Sequence, residues 1–101
     1  VSTWTTKVQK TKAGGGYHQW HCENGQFLYR DRVLAWMVYL NTVPSQSGGG
    51  TDFLHQKLTL QPEAGTIVLW PASYTHVHRG GFLTGNVDKY IATGWFIREP
   101  T

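Results

Sequence analysis

Apolar positions along this chain seldom recur at helical spacing. Short runs rich in β-branched and aromatic residues recur instead, at residues 4–10, 17–22, 33–40, 53–60, 66–70, 76–79 and 89–97. Clusters at 13–16, 24–25, 44–50, 62–65 and 80–86, rich in glycine, proline, serine and asparagine, separate them and supply the positive φ values and fixed turns that β connections use. The pattern predicts an all-β domain. Leu34-Ala35-Trp36-Met37-Val38-Tyr39-Leu40 is nearly continuous in apolar residues, so it is expected to be a central strand covered on both faces. A buried helix is the alternative, but Asn41 and Pro44 end the run early, which suits a strand better. Within 53–60 the alternation slips near Gln56, where a bulge is expected.

With 101 residues, 40% of them apolar and 14% aromatic, residues 1–101 are expected to form one small domain with a thin core. No run of about eighteen apolar residues and no signal pattern is present, so membrane insertion and secretion have no support and the cytoplasm is the expected compartment. The single cysteine, Cys22, excludes an internal disulfide and is expected to be a packed thiol pointing away from its neighbours His21 and Glu23. The net charge of +3 is spread over nine lysines and arginines without a basic block, which gives nucleic-acid binding no support. The chain starts at Val1, directly in a strand-like run, which is the expectation for a fragment of a longer protein.

His21 and Glu23 stand at i and i+2, so a strand would project both from one face. A distant histidine would complete a metal set: two imidazoles and a carboxylate leave the opposite positions of an ion open, as a non-heme Fe(II) oxygenase needs. His78 and His76 are both candidates, and their own i, i+2 spacing leaves the choice between them open. Alone, His-x-Glu is not specific, because most such pairs are solvated surface residues. Lys89 opens the last apolar run, and a cation at the mouth of a buried strand suits a dicarboxylate, with Thr93 or Tyr39 donating a hydroxyl. His18 and His55 are read as bland strand residues.

The order Tyr17-His18-Gln19-Trp20-His21-Cys22-Glu23, Arg32 to Tyr39-Leu40-Asn41, Gly48-Gly49-Gly50-Thr51, Pro62-Glu63-Ala64-Gly65, Trp70-Pro71, His76-Val77-His78-Arg79-Gly80 and Lys89-Tyr90 to Trp95 resembles the Fe(II)/2-oxoglutarate dioxygenase superfamily, in its prolyl 4-hydroxylase-like branch. The resemblance runs over most of the chain. It implies a double-stranded β-helix, the cupin-like jelly roll, with His21, Glu23 and His78, or His76 in its place, holding Fe(II). It implies Lys89 on the distal carboxylate of 2-oxoglutarate, Tyr39 hydrogen-bonding the same carboxylate, Thr93 lining the cosubstrate site, and ascorbate as a further cofactor. Dioxygen and a peptide or protein carrying a prolyl residue are the implied partners, the substrate lying beside Arg30, Arg32 and Arg79. The implied reaction couples decarboxylation of 2-oxoglutarate to succinate with hydroxylation of a C–H bond, and the carboxylate at position 23 argues against halogenation.

Three departures from the family pattern stand out. Glutamate replaces the usual aspartate, so the longer arm must retract. Neither histidine lies at the commonest spacing from Lys89. Few residues precede the first ligand, so the domain is expected to be minimal or to lack the N-terminal supporting helices. Two other readings compete: a non-catalytic cupin- or lectin-like binding module, and a cupin-type metalloenzyme that ignores 2-oxoglutarate.

Overall fold

The structure, a computed structural model, describes residues 2–16, 19–23 and 31–98. Tyr17, His18, Arg30 and the turn expected at Asn24-Gly25 lie outside the described residues. The strands are β1 (Ser2–Thr11), β2 (Arg32–Tyr39), β3 (Thr51–Phe53), β4 (Leu58–Leu60), β5 (Ile67–Pro71), β6 (His78–Gly80) and β7 (Lys89–Ile97). They form two antiparallel sheets, one in the order β1-β7-β2-β5 and the other in the order β4-β3-β6. Among the described residues there are, besides the strands, two short 3-10 turns, Ser45–Ser47 and Tyr74–His76, and no helix long and apolar enough to cross a membrane.

The period-2 rule determines which side chains meet between the sheets. Ala35, Met37 and Tyr39 of β2 turn inward and are buried, whereas Leu34, Trp36 and Val38 are half-buried on the outer face. Ala35 lies opposite Trp95 of β7 on one side and Trp70 of β5 on the other, so the smallest side chain of the row is flanked by two indoles. Phe53 of β3 meets Trp70 edge-on at 5.4 Å and joins these residues in one core cluster. Burying each of the larger side chains contributes roughly 1.5–3 kcal/mol. Two antiparallel sheets sharing one core make up the jelly roll.

Four local expectations need correction. The run at 53–60 is a hairpin: β3 and β4 pair antiparallel around a turn at 54–57, in which Lys57 adopts φ 52°. No glycine or proline marks that turn, so its register break looked like a bulge. The central strand is fully buried on one face and only half-buried on the other, and beside it Ile67 and Leu69 of β5 are exposed on the outer side. Residues 19–22 are not a strand; only His21 pairs, as a single antiparallel bridge to His78. His76 ends a 3-10 turn and β6 begins at His78, so these two histidines do not share a strand face.

Candidate metal centre

His78 opens β6 at 5% exposure, packed against the rings of Trp70 and Phe53 at centroid distances of 5.0 and 5.6 Å. Its Nδ1–H donates to the backbone oxygen of His76 at 2.8 Å. His21 repeats the device, its Nδ1–H donating to the backbone oxygen of Gln19 at 2.9 Å. A carbonyl only accepts, so each ring carries its proton on Nδ1 and presents the Nε2 lone pair.

Both Nε2 atoms face Oε1 of Glu23, at 2.9 Å from His78 and 3.9 Å from His21. Two electron-pair donors this close attract one another only through a shared cation, a proton or a metal ion. Ligands at a right angle, each about 2.1 Å from one ion, stand about 3 Å apart. One donor atom from each of the three residues lies within 4.8 Å of the others. The second oxygen, Oε2, accepts from Trp95 Nε1–H at 3.0 Å, and Arg32 Nη1 lies 3.8 Å away. Burial would raise the Glu23 carboxyl, but where a proton is the cation shared at Nε2, the hydrogen bond and charge of His78, the Trp95 hydrogen bond and the charge of His21 outweigh it and hold it below the usual range.

These residues border a cavity of about 370 Å³, whose wall includes Lys89, Ile91, Thr93 and Trp95 from one face of β7. Lys89 is 7% exposed, and burial, partly opposed by Asp52, lowers its ammonium to about 8. Thr93 lines the cavity and donates its hydroxyl proton to the backbone oxygen of Trp36 at 2.9 Å. Tyr39 is fully buried behind the wall, its hydroxyl 2.7 Å from Thr51 Oγ1, and Thr51 is the one of the pair that lines the cavity. Burial pushes the Tyr39 phenol up, with the Thr51 hydrogen bond opposing it.

The structure therefore brings together His21, Glu23, His78, Lys89 and Thr93. His76 is not among them: its ring borders a separate groove beside Phe53 and bonds Thr75 through Nδ1 at 2.9 Å. Cys22 lines the cavity, against the expectation that it would point away, because its segment is not a strand. Sequence reasoning overlooked Thr51 as a cavity residue and Trp95 as a partner of Glu23, and it set Arg32 beside the substrate rather than beside Glu23. Stepping by two from Lys89 along β7 would have reached Trp95.

The donor set fits a non-heme Fe(II) ion: two imidazoles with lone pairs directed inward, one carboxylate oxygen, and open cavity beyond them. A buried cation on the same cavity fits an anionic cosubstrate. Trp70, beside the cavity, keeps a buried Nε1–H that has no hydrogen-bond partner among the described residues.

Residues 6–97 match the 2OG-Fe(II) oxygenase superfamily. The chain belongs to that superfamily. Its cofactors are Fe(II) and 2-oxoglutarate, the pair that the donors and the buried lysine of this oxygenase fold suit. No curated protein matches the sequence.

Among solved structures, the viral collagen prolyl hydroxylase of Paramecium Bursaria Chlorella virus-1, in its 2OG complex, is similar with TM-score 0.82 and 23% identity, over 98% of this chain and 61% of its own. A prolyl 4-hydroxylase from Phytophthora capsici gives 0.77 and 26%, over 91% and 31% of the two chains. A Trichoplax adhaerens prolyl hydroxylase, in complex with a hypoxia inducible factor oxygen degradation domain peptide fragment, gives 0.82 and 21%, over 96% and 44%. The chain thus spans less than two thirds of the length of each.

Proposed function

We propose that this protein is an Fe(II)- and 2-oxoglutarate-dependent dioxygenase that hydroxylates a C–H bond of a prolyl residue in a peptide or protein. One observation carries the reading: the His21, Glu23 and His78 donors and the buried Lys89 cation open on a single cavity. His21 Nε2, His78 Nε2 and Glu23 Oε1 would hold the ion. Fe(II) and 2-oxoglutarate, when bound, supply the activation of dioxygen that oxidises the C–H bond as the keto acid is decarboxylated to succinate.

The chain's own residues bind and orient. Lys89 meets the distal carboxylate with a charge-assisted hydrogen bond, strengthened by the exclusion of water. Thr51, held by Tyr39, offers a hydroxyl along the same wall, Thr93 lines it with its own hydroxyl proton already given to Trp36, and Met37, Ile91 and Trp95 keep that wall apolar. At the edge, the Arg79 guanidinium lies 4.2 Å from the ring centroid of Trp20, and both are partly exposed, a surface against which a peptide can lie. The prolyl substrate is supported by the likeness to prolyl hydroxylases, one of them solved with a peptide. A single cysteine is in keeping with a cytoplasmic setting.

The test is an anaerobic titration with Fe(II) and 2-oxoglutarate followed by visible absorption, then air, ascorbate and proline-containing peptides with succinate and hydroxyproline quantified. Iron binding with no response to 2-oxoglutarate would overturn the cosubstrate assignment. Succinate with no hydroxylated peptide would overturn the substrate.

A further inference from the structure

The two oxygens of Glu23 have different surroundings. Oε1 faces both histidine Nε2 atoms, and Oε2 is turned to Trp95 Nε1–H at 3.0 Å. The difference matters because a glutamate has enough rotatable bonds to chelate an ion with both oxygens. That would occupy one of the positions a two-histidine, one-carboxylate site leaves open for cosubstrate and dioxygen.

An indole has a single N–H with one direction, and this one belongs to a side chain only 7% exposed on the central part of a sheet. Arg32, from the neighbouring strand, stacks 3.7 Å from the Trp95 ring centroid. The same arginine donates through Nη1 to the backbone oxygen of Glu23 at 3.3 Å and lies 3.8 Å from Oε2. It therefore fastens the main chain of Glu23 while approaching its carboxylate. Lys7, from the strand on the other side of β7, places a second cation 5.5 Å from the ring centroid. Cations over an indole draw on its π density and make the N–H a better donor.

We infer that Trp95 is a positioning residue: its indole N–H, braced by Arg32, claims Oε2 of Glu23 so that the carboxylate offers the ion a single oxygen. The inference rests on the metal-holding role proposed for Glu23. It makes β7 bifunctional, because the same strand face presents the cosubstrate cation at Lys89 and the carboxylate-orienting donor at Trp95.

The test uses Co(II) as a spectroscopic probe of the 101-residue chain, comparing wild type with Trp95→Phe, which keeps an aromatic ring and removes the donor. The variant should bind Co(II) about tenfold more weakly, the usual scale for losing a partner of a metal ligand, and its d–d bands should change as the coordination number changes. Wild-type protein that binds no Co(II) would overturn the metal role of Glu23, and the inference with it. Equal affinity and an identical spectrum in Trp95→Phe, with wild type binding, would overturn the inference alone. If Trp95→Phe does not fold, exchange of the Trp95 indole proton in the metal-free protein decides the matter. It should speed up at least about tenfold in Glu23→Ala, and an unchanged rate would sink the proposal.

Discussion

His21 and His78 exchange both of their backbone hydrogen bonds, N–H to C=O at 3.0 and 2.9 Å, and their rings stand 4.3 Å apart. This isolated bridge extends the β4-β3-β6 sheet by one residue pair. Two side chains facing each other across an antiparallel pair necessarily share a side of the sheet. One bridge therefore sets both imidazoles on the cavity side, and Glu23, two residues on, needs only to fold back between them.

The two candidate distal histidines should behave differently. His78→Ala removes an Nε2 donor and should weaken Fe(II) or Co(II) binding by at least about a hundredfold, beyond what outer-shell changes cause. His76→Ala leaves intact the backbone oxygen that orients His78, so metal affinity should change by less than about threefold. Equal losses in the two variants, measured by calorimetric titration, would contradict this geometry.

Lys89 should make 2-oxoglutarate binding sensitive to pH. Its ammonium titrates at about 8, so affinity should be full below that value and fall about tenfold per unit above it. Lys89→Met should bind weakly at every pH, with a flat profile. Stability should move the other way. The unfolded lysine holds its proton to about 10.5 and the folded one releases it near 8, so between these values the unfolded state binds more protons. Stability therefore rises with pH across that window, by up to about 3 kcal/mol, a term that Lys89→Met lacks. Denaturant midpoints of both proteins at pH 7.5 and 10 measure the difference.

Much of this was legible because the chemistry restricts residue types. Few side chains other than His and Glu could form the cluster, and the apolar run from Lys89 marked β7 with the bounds 89–97 that the structure has. The hairpin at 54–57 was not legible, since its left-handed residue is Lys57 rather than glycine. The ambiguity between His76 and His78 persisted because i, i+2 spacing means a shared face only in a strand, and a 3-10 turn intervenes. Trp95 was missed as a partner of Glu23 because their contact spans 72 positions, and no local pattern encodes such a pair.

Tyr39 should act on 2-oxoglutarate through Thr51. The phenol lies behind the cavity wall and its hydroxyl meets Thr51 Oγ1 at 2.7 Å, so Thr51→Val should weaken 2-oxoglutarate binding more than Tyr39→Phe does. The double variant should be no weaker than Thr51→Val alone. Each single change should also lower stability by about 1–2 kcal/mol, because it leaves a buried hydroxyl short of a partner. A larger loss of affinity in Tyr39→Phe would show that the phenol reaches the ligand itself.

Two glycines separate backbone strain from crowding. Gly48 has φ 66° and ψ −140°, and a Cβ there would collide with the carbonyl oxygen of Phe82. Gly14 also has positive φ, at 88°, but a Cβ there would meet nothing within 4 Å. Gly14→Ala should therefore cost only the strain of a left-handed alanine, about 1 kcal/mol. Gly48→Ala adds a clash with a backbone atom that cannot swing aside, and it should lower stability by about 2 kcal/mol more. The Phe82 carbonyl accepts from Gly49 N–H at 2.9 Å, so relieving the clash would break that bond, which tethers the loop before β3 to the one before β7. Equal denaturant midpoints for the two variants would mean that the loops separate without cost and that this close approach contributes nothing to the fold.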